Sequence, residues 1–222
     1  MSRVAALVPM RHHSQRVPGK NYRLLDGKPL FHYIIDTLLE VELLDEIAVN
    51  TDSEVIKKGL ARHFPEVRII DRPTEIAGDQ VSMNRILAYD VRQIEADFYL
   101  QTHSTNPLLT APTISRAVQG FLEAYPDQDS LFSVTPLHTR LWTREGKPLN
   151  HDPDVLIQTQ DLPPVYEENS CIYLFTKETL LTRNNRLGER PLLFEIDPSE
   201  AWDIDTELDF VICEQLMRTR KG

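Results

Sequence analysis

The sequence predicts an α/β domain built on a mostly parallel sheet with helices on both faces. Three observations carry that expectation. Short, wholly apolar runs alternate with segments of helical period along most of the 222 residues, as when buried strands are joined by crossover helices. The length suffices for one sizeable core, and no internal repeat or low-complexity tract marks a second, so residues 1–222 read as a single domain. The composition, 41% hydrophobic and 26% charged, is that of a folded globular chain and not a disordered one.

Taken in order, Ala5–Val8 is the first strand, and it delivers the chain into "PMRHHSQRVPGKN". Leu30, Ile34, Ile35, Leu38 and Leu39 then recur at helical spacing behind Pro29, a residue suited to a first helical turn. Further strands are expected at Glu46–Asn50, Val67–Ile70, Phe98–Gln101 and Leu131–Val134, with helices at Ser53–Phe64, Met83–Ile94 and Pro112–Tyr125. Residues 136–168 break the alternation. Pro136, Pro148, Pro153, Pro163 and Pro164 punctuate a polar stretch, which reads as an inserted arm and not a second core. A strand at Cys171–Phe175, a short helix from Lys177, a strand at Leu192–Ile196 and a helix from about Thr206 to Arg218 close the chain.

Charge narrows the partners. The net charge of −10 argues against a general nucleic-acid binder. From Arg11 to Lys28, however, there are five basic residues and one acid, a local +4 that leaves −14 on the remainder. A positive island at a strand exit suits a small anion, because ligands of open α/β sheets bind beyond the carboxyl ends of the strands. Cys171 and Cys213 sit in apolar stretches without metal-ligand spacing and read as buried reduced thiols. The apolar run ending at Pro9 is too short for a signal peptide, and no run approaches the ~20 apolar residues of a membrane span, so a cytoplasmic protein is expected.

Three clusters can carry chemistry. The first loop has neither GxxxxGK[ST] nor GxGxxG. It offers Arg11 for bidentate phosphate contact, Ser14 as a hydroxyl donor and Lys20 as a mobile charge. In "AWDIDTELDF", an extended Trp202–Asp205 puts Asp203 and Asp205 on one side, where two carboxylates repel unless a cation such as Mg2+ lies between them. The same stretch also reads as a helix start, with Thr206 and Asp209 as a capping box. In "YLQTHSTNP", Gln101 brings an amide that donates and accepts, although a turn around Ser104 and Asn106 explains the polarity equally well. His12, His13 and His103 lack the pattern of a transition-metal site.

In combination these motifs resemble the acylneuraminate cytidylyltransferases. The resemblance begins with Pro9-x-Arg11, Ser14, Arg16, Pro18, Lys20 and Asn21, and runs through Gly27-Lys28-Pro29-Leu30 and Thr51-Asp52-Ser53-Glu54. It continues with Arg72-Pro73-x-Glu75-x-Ala77-x-Asp79, Leu100-Gln101 and Asn169-x-x-Ile172-Tyr173, and ends with Asp203-Ile204-Asp205-Thr206-Glu207-Leu208-Asp209. It implies a Rossmann-like sheet of the nucleotide-diphospho-sugar transferase type and transfer of CMP from CTP to the anomeric hydroxyl of a 2-keto sugar acid, releasing pyrophosphate. By the matched positions, Arg11 and Lys20 hold the triphosphate with Ser14 and Asn21 nearby in the nucleotide site, and Arg72 and Asp79 line the nucleotide pocket. Asp203 and Asp205 carry Mg2+, while Gln101, Asn169 and Tyr173 contact the sugar acid. Arg11, Lys20, Asp203 and Asp205 are the expected catalytic set, and the arm at 136–168 is expected at a homodimer interface.

The chain also departs from the pattern. His12 and His13 stand where small residues are usual, no arginine follows Pro107-Leu108, and Gln80-Val81-Ser82-Met83-Asn84 replaces small hydroxylic residues after Asp79. Glu167 and Glu168 stand before Asn169, where arginine is common, which suits an amino-bearing or less acidic acceptor. A nucleotidyltransferase with another acceptor or nucleotide, and a non-catalytic nucleotide- or sugar-binding paralogue, are the alternatives.

Overall fold

The structure, a computed structural model, describes residues 2–220. β1 (Val4–Leu7) leads through the basic loop to a small ribbon, β2 (Leu24–Leu25) and β3 (Lys28–Pro29), then to α1 (Leu30–Leu39). There follow β4 (Glu46–Thr51), α2 (Glu54–His63), β5 (Arg68–Asp71), α3 (Met83–Asp90), β6 (Phe98–Gln101) and α4 (Ala111–Ala124). The last elements are β7 (Ser130–Leu137), β8 (Val165–Phe175), α5 (Lys177–Arg183), β9 (Pro191–Glu195) and α6 (Glu207–Arg220).

Seven strands form one sheet in the order β5-β4-β1-β6-β8-β7-β9. It is mostly parallel as expected, except that β8 runs antiparallel to both neighbours, β6 and β7. Strand alternation distributes the core over two faces. Val4, Ala6 and Val8 pack with Ile34 of α1, Leu60 of α2 and Phe121 of α4. Ala5 and Leu7 pack on the opposite face with Leu87 of α3 and Leu180 of α5. The expected helices on both faces are therefore present. A third cluster seats α6 on the ribbon through Leu25, Leu30, Phe210 and Cys213.

β1 lies between β4 and β6, so chain direction switches sides beside it and a crevice opens at its carboxyl end. The basic loop emerges there. A second irregularity shapes the same end. β7 and β8 keep register from Ser130↔Phe175 to Phe132↔Tyr173, then resume at Val134↔Glu168. The extra β8 residues bulge outward around Ser170, whose φ is +59°. Ser133 Oγ fixes the bulge by donating to Asn169 Oδ1 and accepting from the Ile172 amide.

The expected arm is shorter than 136–168. Pro136 and Leu137 still pair with Tyr166 and Val165, so both ends belong to strands. Pro136 is tolerated because β7 has by then outrun its other neighbour, whose pairing stops at Val134↔Glu195. The excursion proper, 138–164, exposes Trp142, Leu149 and Leu156, the last 95% accessible.

Candidate active site

The loop after β1 is pinned from both sides. The His12 amide donates to Asp52 Oδ1 at 2.7 Å, just past β4. His12 Nδ1 lies 2.7 Å from Ser53 Oγ, and its ring stacks on Tyr22. Asn21 closes the loop by donating Nδ2 to the Arg11 carbonyl (2.8 Å) and accepting from Ser104 Oγ (2.7 Å). Gly19 turns the chain at φ +68°, and a Cβ there would meet the Tyr22 ring at 2.8 Å, so glycine is required where Lys20 is presented.

These constraints aim Arg11, Ser14, Arg16 and Lys20 into a cavity of about 410 Å³. Asn21, Arg72, Asp79, Asp203 and Asp205 line it too, so eight of the eleven expected site residues border one space. The histidine pair does not obstruct it, because neither His12 nor His13 is part of its wall. Opposite charges meet across the space. Arg11 Nη1 donates to Asp79 Oδ1 at 2.6 Å, and Arg16 Nη2 to Asp205 Oδ1 at 2.7 Å. Lys20 Nζ donates to the Ile204 carbonyl (2.5 Å) and to Asp205 Oδ1 (3.3 Å). The Arg11 and Arg16 pairs are solvent-facing and contribute little to stability, about 0–1 kcal/mol each.

Asp203 is different. Its Oδ1 is buried without a hydrogen-bond partner among the described residues. Burial pushes its carboxyl above the ordinary range; the Thr105 hydroxyl opposes the shift and the neighbouring Asp205 adds to it. The capping box is also present: Asp209 Oδ2 accepts from the Thr206 amide and hydroxyl at 2.7 and 2.8 Å. The cap uses Thr206 and Asp209, which leaves Asp203 and Asp205 for the cavity.

Arg72 enters from the strand side and is almost fully buried. Its Nε donates to Asn50 Oδ1 at 2.6 Å and its Nη2 to the Asn50 carbonyl at 3.0 Å. Asn50 Nδ2 donates in turn to Asp90 Oδ1 at 2.5 Å. Burial raises Asp90 to about 7, against the Asn50 hydrogen bond and the Arg72 charge.

The three expected acceptor contacts divide. Asn169 lines a second cavity of about 360 Å³ with Thr135, Glu167, Glu168 and Trp202, and this space shares Ser170 and Asp203 with the first. Gln101 and Tyr173 border neither cavity. They are register partners on the α3/α5 face, fully buried, and occupied within the protein. Tyr173 donates to Glu168 and lies 3.1 Å from Ser170 Oγ, whose hydroxyl can donate back to it. Gln101 Oε1 accepts from Arg186 Nη1 at 2.5 Å, and the Arg186 guanidinium lies 3.4 Å over the Tyr173 ring. Arg186 was not legible in the sequence, where it is one arginine in a loop without a motif.

A family model described as cytidylyltransferase matches residues 5–222. The CMP-N,N'-diacetyllegionaminic acid synthase of Legionella pneumophila is 31% identical over 97% of this chain and 96% of its own length. Post-translational flagellin modification protein B of Campylobacter coli is 25% identical over 99% and 97%. Among solved structures, a CMP:2-keto-3-deoxy-manno-octonic acid synthetase complexed with CTP superposes with a TM-score of 0.74. Its identity is 17%, covering 99% of this chain and all of the other, and that likeness speaks for the fold.

Proposed function

This chain belongs to the cytidylyltransferase family, and on that premise we propose that it transfers CMP from CTP to the anomeric hydroxyl of a 2-keto sugar acid. One observation carries the reading: Arg16 and Lys20 of the first loop face Asp205, 189 and 185 residues away, across a single cavity. A nucleotide triphosphate and a divalent cation need that pairing of cationic donors with a carboxylate pair.

In the reaction, the sugar C2 oxygen attacks the α-phosphorus and the bond to pyrophosphate breaks, so the protein's work is alignment and charge stabilisation. Arg11 and Lys20 exchange carboxylate oxygens for phosphate oxygens as the triphosphate binds. Arg72, held by Asn50, fixes the nucleotide side of the cavity. Asp203 and Asp205 would hold Mg2+. The fit rests on the partnerless Oδ1 of Asp203 and on the burial that disfavours its charge, both of which a cation relieves. Two carboxylates leave most of an octahedral shell to phosphate oxygens and water, as Mg2+ prefers. When bound, the ion supplies Lewis-acid polarisation of the α-phosphate.

The acceptor is read into the second cavity, beside Asn169. Its mouth carries Glu167 and Glu168, which favour an acceptor with hydroxyl, amide or ammonium donors over a plain anion. A second copy of the chain is read onto the exposed arm, making a homodimer.

The test is pyrophosphate release from CTP with a panel of 2-keto sugar acids, with Mg2+ and then with EDTA. Release that needs both the sugar acid and Mg2+ is expected. Release only with another nucleotide or acceptor, or none at all, would overturn the assignment. Within the panel, Glu167→Arg should raise kcat/KM for N-acetylneuraminate about fivefold, the equivalent of ~1 kcal/mol of removed repulsion. No change would show that Glu167 does not filter the acceptor.

A further inference from the structure

His103 lies two residues beyond β6 and borders the first cavity beside Lys20, Asp203 and Asp205. Which ring nitrogen carries its proton follows from its neighbours. Arg186 has donors and no acceptor, so the atom of Gln101 it meets at 2.5 Å is the carbonyl oxygen, Oε1. That fixes the amide. Its NH2 end then faces the Thr102 carbonyl at 3.2 Å and His103 Nε2 at 2.9 Å. An amide nitrogen can only donate, so His103 Nε2 accepts and bears no hydrogen. The proton of the neutral ring is on Nδ1, the nitrogen left for a ligand.

The surroundings keep the ring neutral. Burial, then Arg186 from the loop before β9 and Lys20 from the first loop, lower its pKa to about 4 against the opposing charge of Asp205.

We propose that His103 is a further catalytic residue, a fixed Nδ1–H donor to an oxygen of the phosphoryl group being transferred. Arg186 and Gln101 are the positioning residues that set its tautomer. The inference rests on the nucleotidyl-transfer reading above. No proton moves in this role. The C2–O–P bond forms, the bond to pyrophosphate breaks, the hydroxyl proton passes to solvent water, and Nδ1–H meets the charge that grows on the phosphoryl oxygen. The same geometry denies His103 the part of general base, since Nε2 is committed to Gln101 and Nδ1 is already protonated. It also gives Gln101 a task that does not require contact with the acceptor.

Two measurements test this. Histidine side-chain 15N shifts of the free protein at pH 7 should show the Nδ1–H tautomer for His103. In Gln101→Glu, a carboxylate facing Nε2 should place a proton there. An Nε2–H tautomer in the wild type overturns the relay, whatever the nucleotide proves to be. In turnover with CTP and Mg2+, His103→Gln, whose amide reaches the Nε2 position, should lower kcat about 10²-fold. His103→Asn, whose amide nitrogen sits near Nδ1, should recover about tenfold of that loss. The kcat/KM profile of the wild type should show no limb between pH 6 and 9 that His103→Asn abolishes. Equal losses in the two variants, or such a limb, would overturn the donor role. If the wild type does not use CTP at all, the functional reading fails while the 15N result still decides the tautomer.

Discussion

Asp203 is a carboxylate that a protein selected for stability alone would not keep. It is half-buried, lacks a partner at Oδ1 among the described residues, and has its charged form disfavoured by burial and by Asp205. Removing it costs no native hydrogen bond at that atom and relieves a desolvation penalty. Asp203→Ala is therefore expected to leave the melting temperature unchanged or raised, while kcat at saturating Mg2+ falls on the order of 10²–10³-fold. A fall in both would mean a structural carboxylate, and near-wild-type turnover would remove the metal assignment. At this scale the convergence of the first loop and the Asp-x-Asp pair on one cavity was legible, because residue type and spacing singled both out. The acceptor side was less so. Gln101 and Tyr173 read as contacts because both are polar residues at strand ends, whereas in the fold both are engaged by Arg186 and border neither cavity. A loop arginine that folds back onto a sheet face leaves no periodic trace in the sequence.

At the scale of elements, apolar runs marked the core strands well, since a strand buried on both faces is apolar whichever way it runs. That also explains what was missed. Cys171–Phe175 carries no sign of its direction, so the antiparallel course of β8 and its bulge are set only by its pairing with β6 and β7. The arm was marked by its prolines, but its ends were drawn too wide because Pro136 sits on an unpaired edge. What the arm exposes sets up a prediction. Trp142, Leu149 and Leu156 are 50%, 63% and 95% accessible, on a segment whose own contacts are mainly local turns such as Thr143–Lys147. Exposed apolar side chains concentrated on one excursion are what the proposed dimer would cover. The double variant Leu149→Asp, Leu156→Asp should convert a dimer into a monomer in sedimentation velocity, with the melting temperature of the monomer core little altered. A wild type that sediments as a monomer at micromolar concentration would refute the dimer. An unchanged dimer in the variant would place the contact elsewhere.

For the whole molecule, Asp90 and His103 bend the pH dependence of stability in opposite directions. Asp90 titrates near 7 when folded, against 3.8 for an ordinary aspartate. The folded state therefore holds its proton more tightly, and the stability this confers is complete below pH 3.8 and lost as pH rises through about 7. His103 titrates near 4 when folded, against 6.5. Its contribution is present above pH 6.5 and lost as pH falls towards 4. Between pH 4 and 6.5 the two slopes oppose each other, and above 6.5 only Asp90 still titrates. Melting temperatures of the wild type, Asp90→Asn and His103→Asn across pH 4–8 separate them, because differences between variants cancel the other ionisable groups. Relative to wild type, Asp90→Asn should gain stability steadily from pH 4 to about 7.5. His103→Asn should lose relative stability from pH 4 to 6.5 and then run level. A difference curve that stays flat for Asp90→Asn would mean that its carboxyl is ionised at neutral pH, with Arg72 and not burial setting its charge. The Asp90–Asn50–Arg72 chain would then be an ion pair relayed through an amide, and Arg72 would owe its place in the nucleotide wall to that charge.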